Sequence, residues 1–201
     1  DDGVARILSA LDEGGVQNNT IVVFLSDNGG AANNASDNGQ LRGHKSNLFE
    51  GGVRVPFAIK WEGIIPAGMT YEKPVLSLDI MATIIAQTDV KINPIRPLDG
   101  INLIPYLTGV NNDEPHDYLF WRKWEQNAMA IRNGNNKLVS NSDMDREPPQ
   151  LFNLATDMSE ITNINSNQRE VSEKLLLEWQ KWDAKLKNRV FPKLDDDVWW
   201  E

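Results

Sequence analysis

Thr20-Ile21-Val22-Val23-Phe24-Leu25-Ser26-Asp27-Asn28-Gly29-Gly30 is the stretch that decides the fold class. From Ile21 to Leu25 the residues are β-branched, aromatic or aliphatic without alternation. That pattern predicts a strand buried on both faces, as in a sheet covered by helices. The run stops abruptly at Ser26-Asp27-Asn28, and in open α/β sheets ligands gather beyond the carboxyl ends of strands. Asp27 and Asn28 therefore stand at the edge where a site is expected. Upstream, Val4, Ile7, Leu8 and Leu11 fall at i, i+3, i+4 and i+7. With acidic Asp1 and Asp2 in front and Gly14-Gly15 behind, they predict an amphipathic helix. Helix, the polar connector Gln17 to Thr20, then apolar strand, is the order of an α/β domain.

Downstream, residues 31 to 52 are rich in Asn, Gly and Ser and run past the roughly 12 residues beyond which loops are usually functional. Val55 to Trp61 predicts a second strand, with Pro56 near its start, where a missing N–H does least harm. Ser77 to about Gln87 predicts a buried helix behind a Ser or Asp cap, its apolar positions being Leu78, Met81, Ile84 and Ile85. Pro94, Pro97 and Asp99-Gly100 interrupt the pattern, and a short helical piece carries Leu103, Tyr106 and Leu107. Beyond about residue 112, strand-like segments at Tyr118 to Trp124, Ala128 to Arg132, Lys137 to Ser140 and Gln150 to Leu154 predict a small antiparallel sheet. Its clearest hairpin turns at Asn133-Gly134-Asn135-Asn136. Val171, Leu175, Trp179, Trp182 and Leu186 share one face of a C-terminal helix that would cover this sheet. The expected division is 1–110 for an α/β part and 111–201 for the small sheet and its helix.

Composition narrows the functional classes. The chain has 201 residues, 40% hydrophobic and 24% charged, which excludes disorder and allows a sizeable core. Lys plus Arg is 20 and Asp plus Glu is 29, giving a net charge of −9 that would repel a nucleic-acid backbone. Cysteine is absent, so disulfides, thiolate metal sites and cysteine nucleophiles are excluded together. No apolar run approaches the roughly 18 residues of a membrane span. Asp1-Asp2-Gly3 shows no secretory signal, and such an opening equally suits a chain whose beginning is missing.

Asp27 and Asn28 offer a carboxylate and an amide oxygen, donors for a hard cation such as calcium or magnesium. Alone, Asp-Asn-Gly is also an ordinary turn, and calcium normally takes about 6–8 oxygens, so ligands from elsewhere would be required. Arg42, His44 and Lys45 concentrate cationic groups that suit an oxyanion, although each singly reads as a solvated side chain. Gly51-Gly52 reads as a tight turn, with Glu50 and Arg54 paired to hold it. Trp121, Trp124, Trp179 and Trp182 fit core packing better than a sugar-stacking platform. Trp199-Trp200, beside Asp195-Asp196-Asp197, reads as a tail.

In order, Thr20 to Gly30, then Leu41-Arg42-Gly43-His44-Lys45, then Glu50-Gly51-Gly52-Val53-Arg54-Val55-Pro56, strongly resemble the C-terminal half of type I sulfatases. Weaker echoes continue in Leu76-Ser77-Leu78-Asp79-Ile80, Leu98-Asp99-Gly100, Lys137-Leu138, and Leu151-Phe152-Asn153-Leu154 with Asp157 and Glu160. The resemblance implies the C-terminal part of an alkaline-phosphatase-like mixed α/β sheet domain plus a small antiparallel α+β subdomain. It makes Asp27 and Asn28 ligands of a calcium ion, Lys45 the lysine contacting the sulfate and the bridging oxygen, and Arg42 and His44 substrate-pocket residues. The implied substrate is a sulfate ester of a sugar or aryl alcohol.

The family's formylglycine, formed in a Cys/Ser-x-Pro/Ala-x-Arg motif, has no counterpart in these residues, nor do the paired aspartates that complete the calcium site. Both are expected in a missing N-terminal half, without which the chain is expected to be inactive. The resemblance also implies a periplasmic, secreted or lysosomal location. Two other readings stay open: a phosphatase or phosphodiesterase of the same superfamily, and a non-catalytic fragment binding a sulfated glycan or a partner.

Overall fold

A computed structural model describes residues 1–91, 97–142, 144 and 146–187. Pro94 and the Asp195 to Trp200 tail lie outside the described residues. The chain packs as two compact units, 1–25 with 57–116, and 26–56 with the residues from 117 onward. Where the sequence predicts two contiguous segments meeting near residue 110, the fold groups the loop-rich segment 26–56 with the C-terminal sheet.

In the first unit α1 (Asp2–Glu13) forms where the apolar spacing places it, closing with Gly14 and Gly15 N–H groups donated to Ala10 and Asp12 carbonyls. β1 (Val22–Leu25) pairs antiparallel with β2 (Phe57–Lys60), Val22 opposite Lys60 and Leu25 opposite Phe57. Burial on both faces is not observed. β1 has one partner strand among the described residues, and Phe24 remains 54% exposed.

α3 (Leu78–Ala86) also lies where expected, but its inward face differs. Leu78, Met81 and Ile84 are exposed, whereas Asp79, Ala82 and Thr83 are buried. Hydrogen bonding explains the rotation. Asp79 accepts the Leu76 and Ile101 N–H groups at 2.7 and 2.9 Å and meets His116 Nε2 at 2.9 Å, while Thr83 Oγ1 accepts the Leu103 N–H at 2.9 Å. These polar bonds outweigh the apolar stripe, because a buried donor without an acceptor costs about 1–3 kcal/mol. Ser77 stands at the N-cap position but makes no side-chain cap bond. α4 (Ile104–Leu107) is the short helical piece around Tyr106.

The second unit is built on the sheet β3-β4-β5-β6: Leu119–Lys123, Ala128–Asn133, Asn136–Ser140 and Gln150–Asn153, all antiparallel. β4 and β5 join through a two-residue loop, Gly134–Asn135, with φ of +54° at the glycine, as a primed hairpin turn requires. β4 is buried on both sides, and its alternate residues separate two cores. Ala128 and Ala130 pack with Leu48, Phe49, Val139 and Phe152, so residues from the 26–56 segment cover one face. Met129 and Ile131 pack with Leu138, Leu151, Leu175 and Trp179, so α5 (Arg169–Asp183) covers the other. Trp179 is buried and donates its indole N–H to the Trp121 carbonyl at 2.9 Å, and Trp182 stacks on Phe120 at 4.9 Å. The core role expected for these tryptophans is the one observed.

Candidate functional site

The polar segment after β1 folds back on itself through main-chain bonds. Ser26 N–H donates to the Pro56 carbonyl at 3.2 Å, Gly29 N–H to Gly52 at 3.1 Å, Lys45 N–H to Gly30 at 3.0 Å and Gly51 N–H to Arg42 at 2.7 Å. These four bonds interlock the segments 26–30, 41–45 and 50–56. The single turn α2 (Glu50–Val53) lies at their centre. Its glycines are required by close approach: a Cβ on Gly51 would meet the carbonyl oxygens of Leu41, Arg42 and Gly43, those of Leu41 and Arg42 at 2.7 and 2.6 Å. Asn38 adds a side-chain clamp, accepting the Gly30 N–H at 2.8 Å and donating to the Gly43 carbonyl at 3.0 Å.

Lys45 is thus brought within one backbone hydrogen bond of the Asp27–Gly30 segment. Asp27, His44 and Lys45 are exposed and Asn28 is half-buried. The side chains of Asp27, Asn28 and Lys45 make no hydrogen bond or ion pair among the described residues. Their donor atoms are free for a ligand. Asp27 and Asn28 supply hard oxygen donors of the kind calcium takes, and no group of three or more Asp, Glu or His residues able to hold a metal is present among the described residues. His44 Nδ1 lies 2.8 Å from the Lys45 carbonyl, an acceptor that favours the tautomer with its proton on Nδ1.

Arg42 is engaged more tightly than the sequence suggested. Its Nη1 donates to the Glu160 carbonyl at 2.8 Å, and its guanidinium lies 3.9 Å above the Phe49 ring.

Beneath the exposed side chains lies a buried ionic cluster that sequence reasoning did not assign. Lys137 Nζ reaches Glu50 Oε1 at 2.8 Å and Glu160 Oε1 at 2.9 Å, and Glu160 Oε2 accepts the Glu50 N–H at 2.6 Å. All three side chains are at most 2% exposed. Arg54 and Arg132 each approach Glu50 Oε2 at 3.8 Å, so the Glu50–Arg54 pair exists but is secondary. Burial pushes the Glu160 carboxyl up, against the downward pull of Lys137. A lysine beside Leu138 in a strand reads as a solvated charge, and nothing local to Glu160 couples it to Glu50. The sole hint was that these residues fall within the weaker echoes of the family pattern.

The Sulfatase family profile matches residues 1–90. Steryl-sulfatase of Rattus norvegicus is 34% identical over 128 residues, 60% of this chain and 22% of the relative. Arylsulfatase A of Bos taurus is 30% identical over 201 aligned positions, 88% of this chain and 39% of the relative. In three dimensions the chain is similar to Ps i-CgsB, solved in complex with k-i-k-neocarrahexaose: the TM-score is 0.80 at 31% identity, over 90% of this chain and 40% of that one. The chain belongs to the type I sulfatase family. It corresponds to the family's C-terminal portion, in the alkaline-phosphatase-like fold. It spans between 22% and 39% of the length of these two sulfatase relatives.

Proposed function

We propose that this sulfatase chain is the C-terminal part of a longer polypeptide that hydrolyses sulfate esters of sugars or aryl alcohols, and that it supplies one half of the site. The interlocking of three segments through the α2 turn, which presents unpartnered Asp27, Asn28 and Lys45 side chains on one loop cluster, carries the reading. The names of the relatives, aryl and steryl sulfatases, and the oligosaccharide bound by Ps i-CgsB favour sulfate esters on a ring alcohol.

Asp27 Oδ and Asn28 Oδ1 would hold a calcium ion together with oxygens from outside the described residues. When bound, the ion withdraws charge from sulfate oxygens. The Lys45 ammonium faces the bridging oxygen and offsets the negative charge that grows there as the S–O bond breaks. Exposed His44 lies beside it on the face that would receive the anion, and Arg42 shapes the same wall from its anchored position over Phe49. The nucleophile, a formylglycine by family resemblance, would come from the segment preceding this chain, so the chain alone would not turn over substrate.

The test is turnover of a chromogenic aryl sulfate by the longer polypeptide. Lys45→Ala should lower kcat roughly 100- to 1,000-fold, the usual cost of one charge-stabilising donor. Asp27→Ala should weaken calcium binding measured by titration calorimetry. Undiminished turnover by Lys45→Ala would reject the assignment, and faster hydrolysis of the matching phosphate ester would transfer the chain to phosphoryl chemistry.

A further inference from the structure

We infer that Lys137 and Glu160, which belong to the small C-terminal sheet and its following loop, are positioning residues that set the place of Lys45. The inference rests on the sulfatase reading of Lys45. Glu160 grips the loop segment twice. Its carboxylate accepts the Glu50 N–H at 2.6 Å, and its carbonyl accepts Arg42 Nη1 at 2.8 Å. Lys137 joins the two carboxylates from the middle, at 2.8 and 2.9 Å, with the Trp121 ring 5.9 Å from its ammonium. Glu160 itself has φ of +52°, a conformation that a non-glycine residue keeps only when its surroundings over-determine it.

Glu50 is the first residue of α2, and α2 has no slack. The Gly51 N–H is bonded to the Arg42 carbonyl, the Gly52 carbonyl receives the Gly29 N–H, and carbonyl oxygens fill the space where a Gly51 side chain would stand. A shift of Glu50 must therefore move both 27–30 and 41–45. A buried ion cluster is a poor source of stability, since apolar residues of similar volume often serve as well. Its directional bonds fix a position that apolar contacts would leave to slide. The chain thus passes from β5, through Lys137 and Glu50, to the turn that holds Lys45 against Gly30.

The experiment is a double-mutant cycle in the longer polypeptide, read by steady-state kinetics and by amide hydrogen exchange. Lys137→Met should lower kcat roughly 10- to 100-fold through misplacement of Lys45, with KM little changed. In a Lys45→Ala background the same substitution should cost less than about twofold, because both changes remove one contribution. Exchange should quicken in residues 41–52 while α5 keeps its protection. Glu160→Gln, which retains an acceptor for the Glu50 N–H, serves where Lys137→Met does not fold and should show a smaller loss of the same kind.

Additive losses in the cycle, unchanged kcat, or a uniform rise in exchange would each overturn the inference and leave the cluster as a fold element only. Full turnover by Lys45→Ala would instead defeat the sulfatase assignment. Exchange in 41–52 would then still decide whether the cluster holds the loop.

Discussion

Replacing Gly51 by alanine is the sharpest test of the interlocked turn. The added Cβ would lie 2.6 Å from the Arg42 oxygen and 2.7 Å from the Leu41 oxygen, with the Gly43 oxygen closing the third side. All three obstacles are backbone atoms, so no rotamer change relieves them. Overpacking of this kind costs about 1–3 kcal/mol, and the Gly51 N–H···O Arg42 bond of 2.7 Å would be lost or stretched at about 0.5–1.5 kcal/mol. Against this stands about 0.4–1 kcal/mol gained by restricting the unfolded chain. The net is about 2 kcal/mol of destabilisation, or about 4–8 °C in Tm for a chain of this length. Gly39→Ala is the control: φ there is +59°, but no atom lies within 4 Å of the new Cβ. Its cost should be about 1 kcal/mol, from the left-handed backbone alone. Thermal unfolding followed by circular dichroism measures both. If Gly51→Ala proves no more destabilising than Gly39→Ala, the close approach of the three segments is not as described.

Two further outcomes follow from the buried polar groups. Asp79→Ala strips the acceptor from the Leu76 and Ile101 N–H groups and from His116, and should cost about 2–4 kcal/mol in urea unfolding; a loss under about 1 kcal/mol would remove Asp79 as the reason α3 turns its polar face inward. Glu160 predicts a pH effect. Its carboxyl is raised above the ordinary 4.5, so the folded chain holds that proton more tightly than the unfolded one, and its contribution to stability falls as pH climbs from about 4.5 through the raised value. The unfolding free energy of the wild type minus that of Glu160→Gln should therefore decrease over that window and then level off. A difference that grows with pH there would contradict the direction of the shift.

The sequence spoke clearly where one residue type dominates a local pattern. α1, the β4–β5 hairpin and α5 are set by spacing, turn chemistry and an apolar face that finds Met129, Ile131 and Leu138. It was misleading where long-range hydrogen bonds override hydropathy. Leu78 and Met81 predicted the inward face of α3, and Asp79 and Thr83 took it because the backbone of 101–103 supplies their partners. The apolar run of β1 predicted two covered faces, whereas Phe24 is half exposed in this chain. The Asp27–Asn28, Arg42–Lys45 and Glu50–Arg54 groups were legible as an ordered set, and the structure links them by main-chain bonds that no side-chain pattern records. Lys137 was invisible because its two partners are 87 residues earlier and 23 residues later in the chain.

The division of labour among the polar residues bears on what the site is for. Glu50, Asn38 and Arg42 spend their side chains on internal bonds, to Lys137, to Gly30 and Gly43, and to Glu160, so folding alone accounts for their identity. Asp27, Asn28 and Lys45 have no such partners among the described residues, although the backbone beside each is held closely. Surface substitutions away from structural features usually change stability by no more than about 0.5 kcal/mol. Lys45→Ala should therefore melt within about 1–2 °C of the wild type while losing the turnover assigned to it above. If its melting falls as far as that of Gly51→Ala, Lys45 belongs to the scaffold, and its loss of activity would say nothing about charge at the bridging oxygen. If stability holds and turnover is lost, the fold leaves the choice of lysine at this position unexplained, and chemistry at the sulfate supplies the reason.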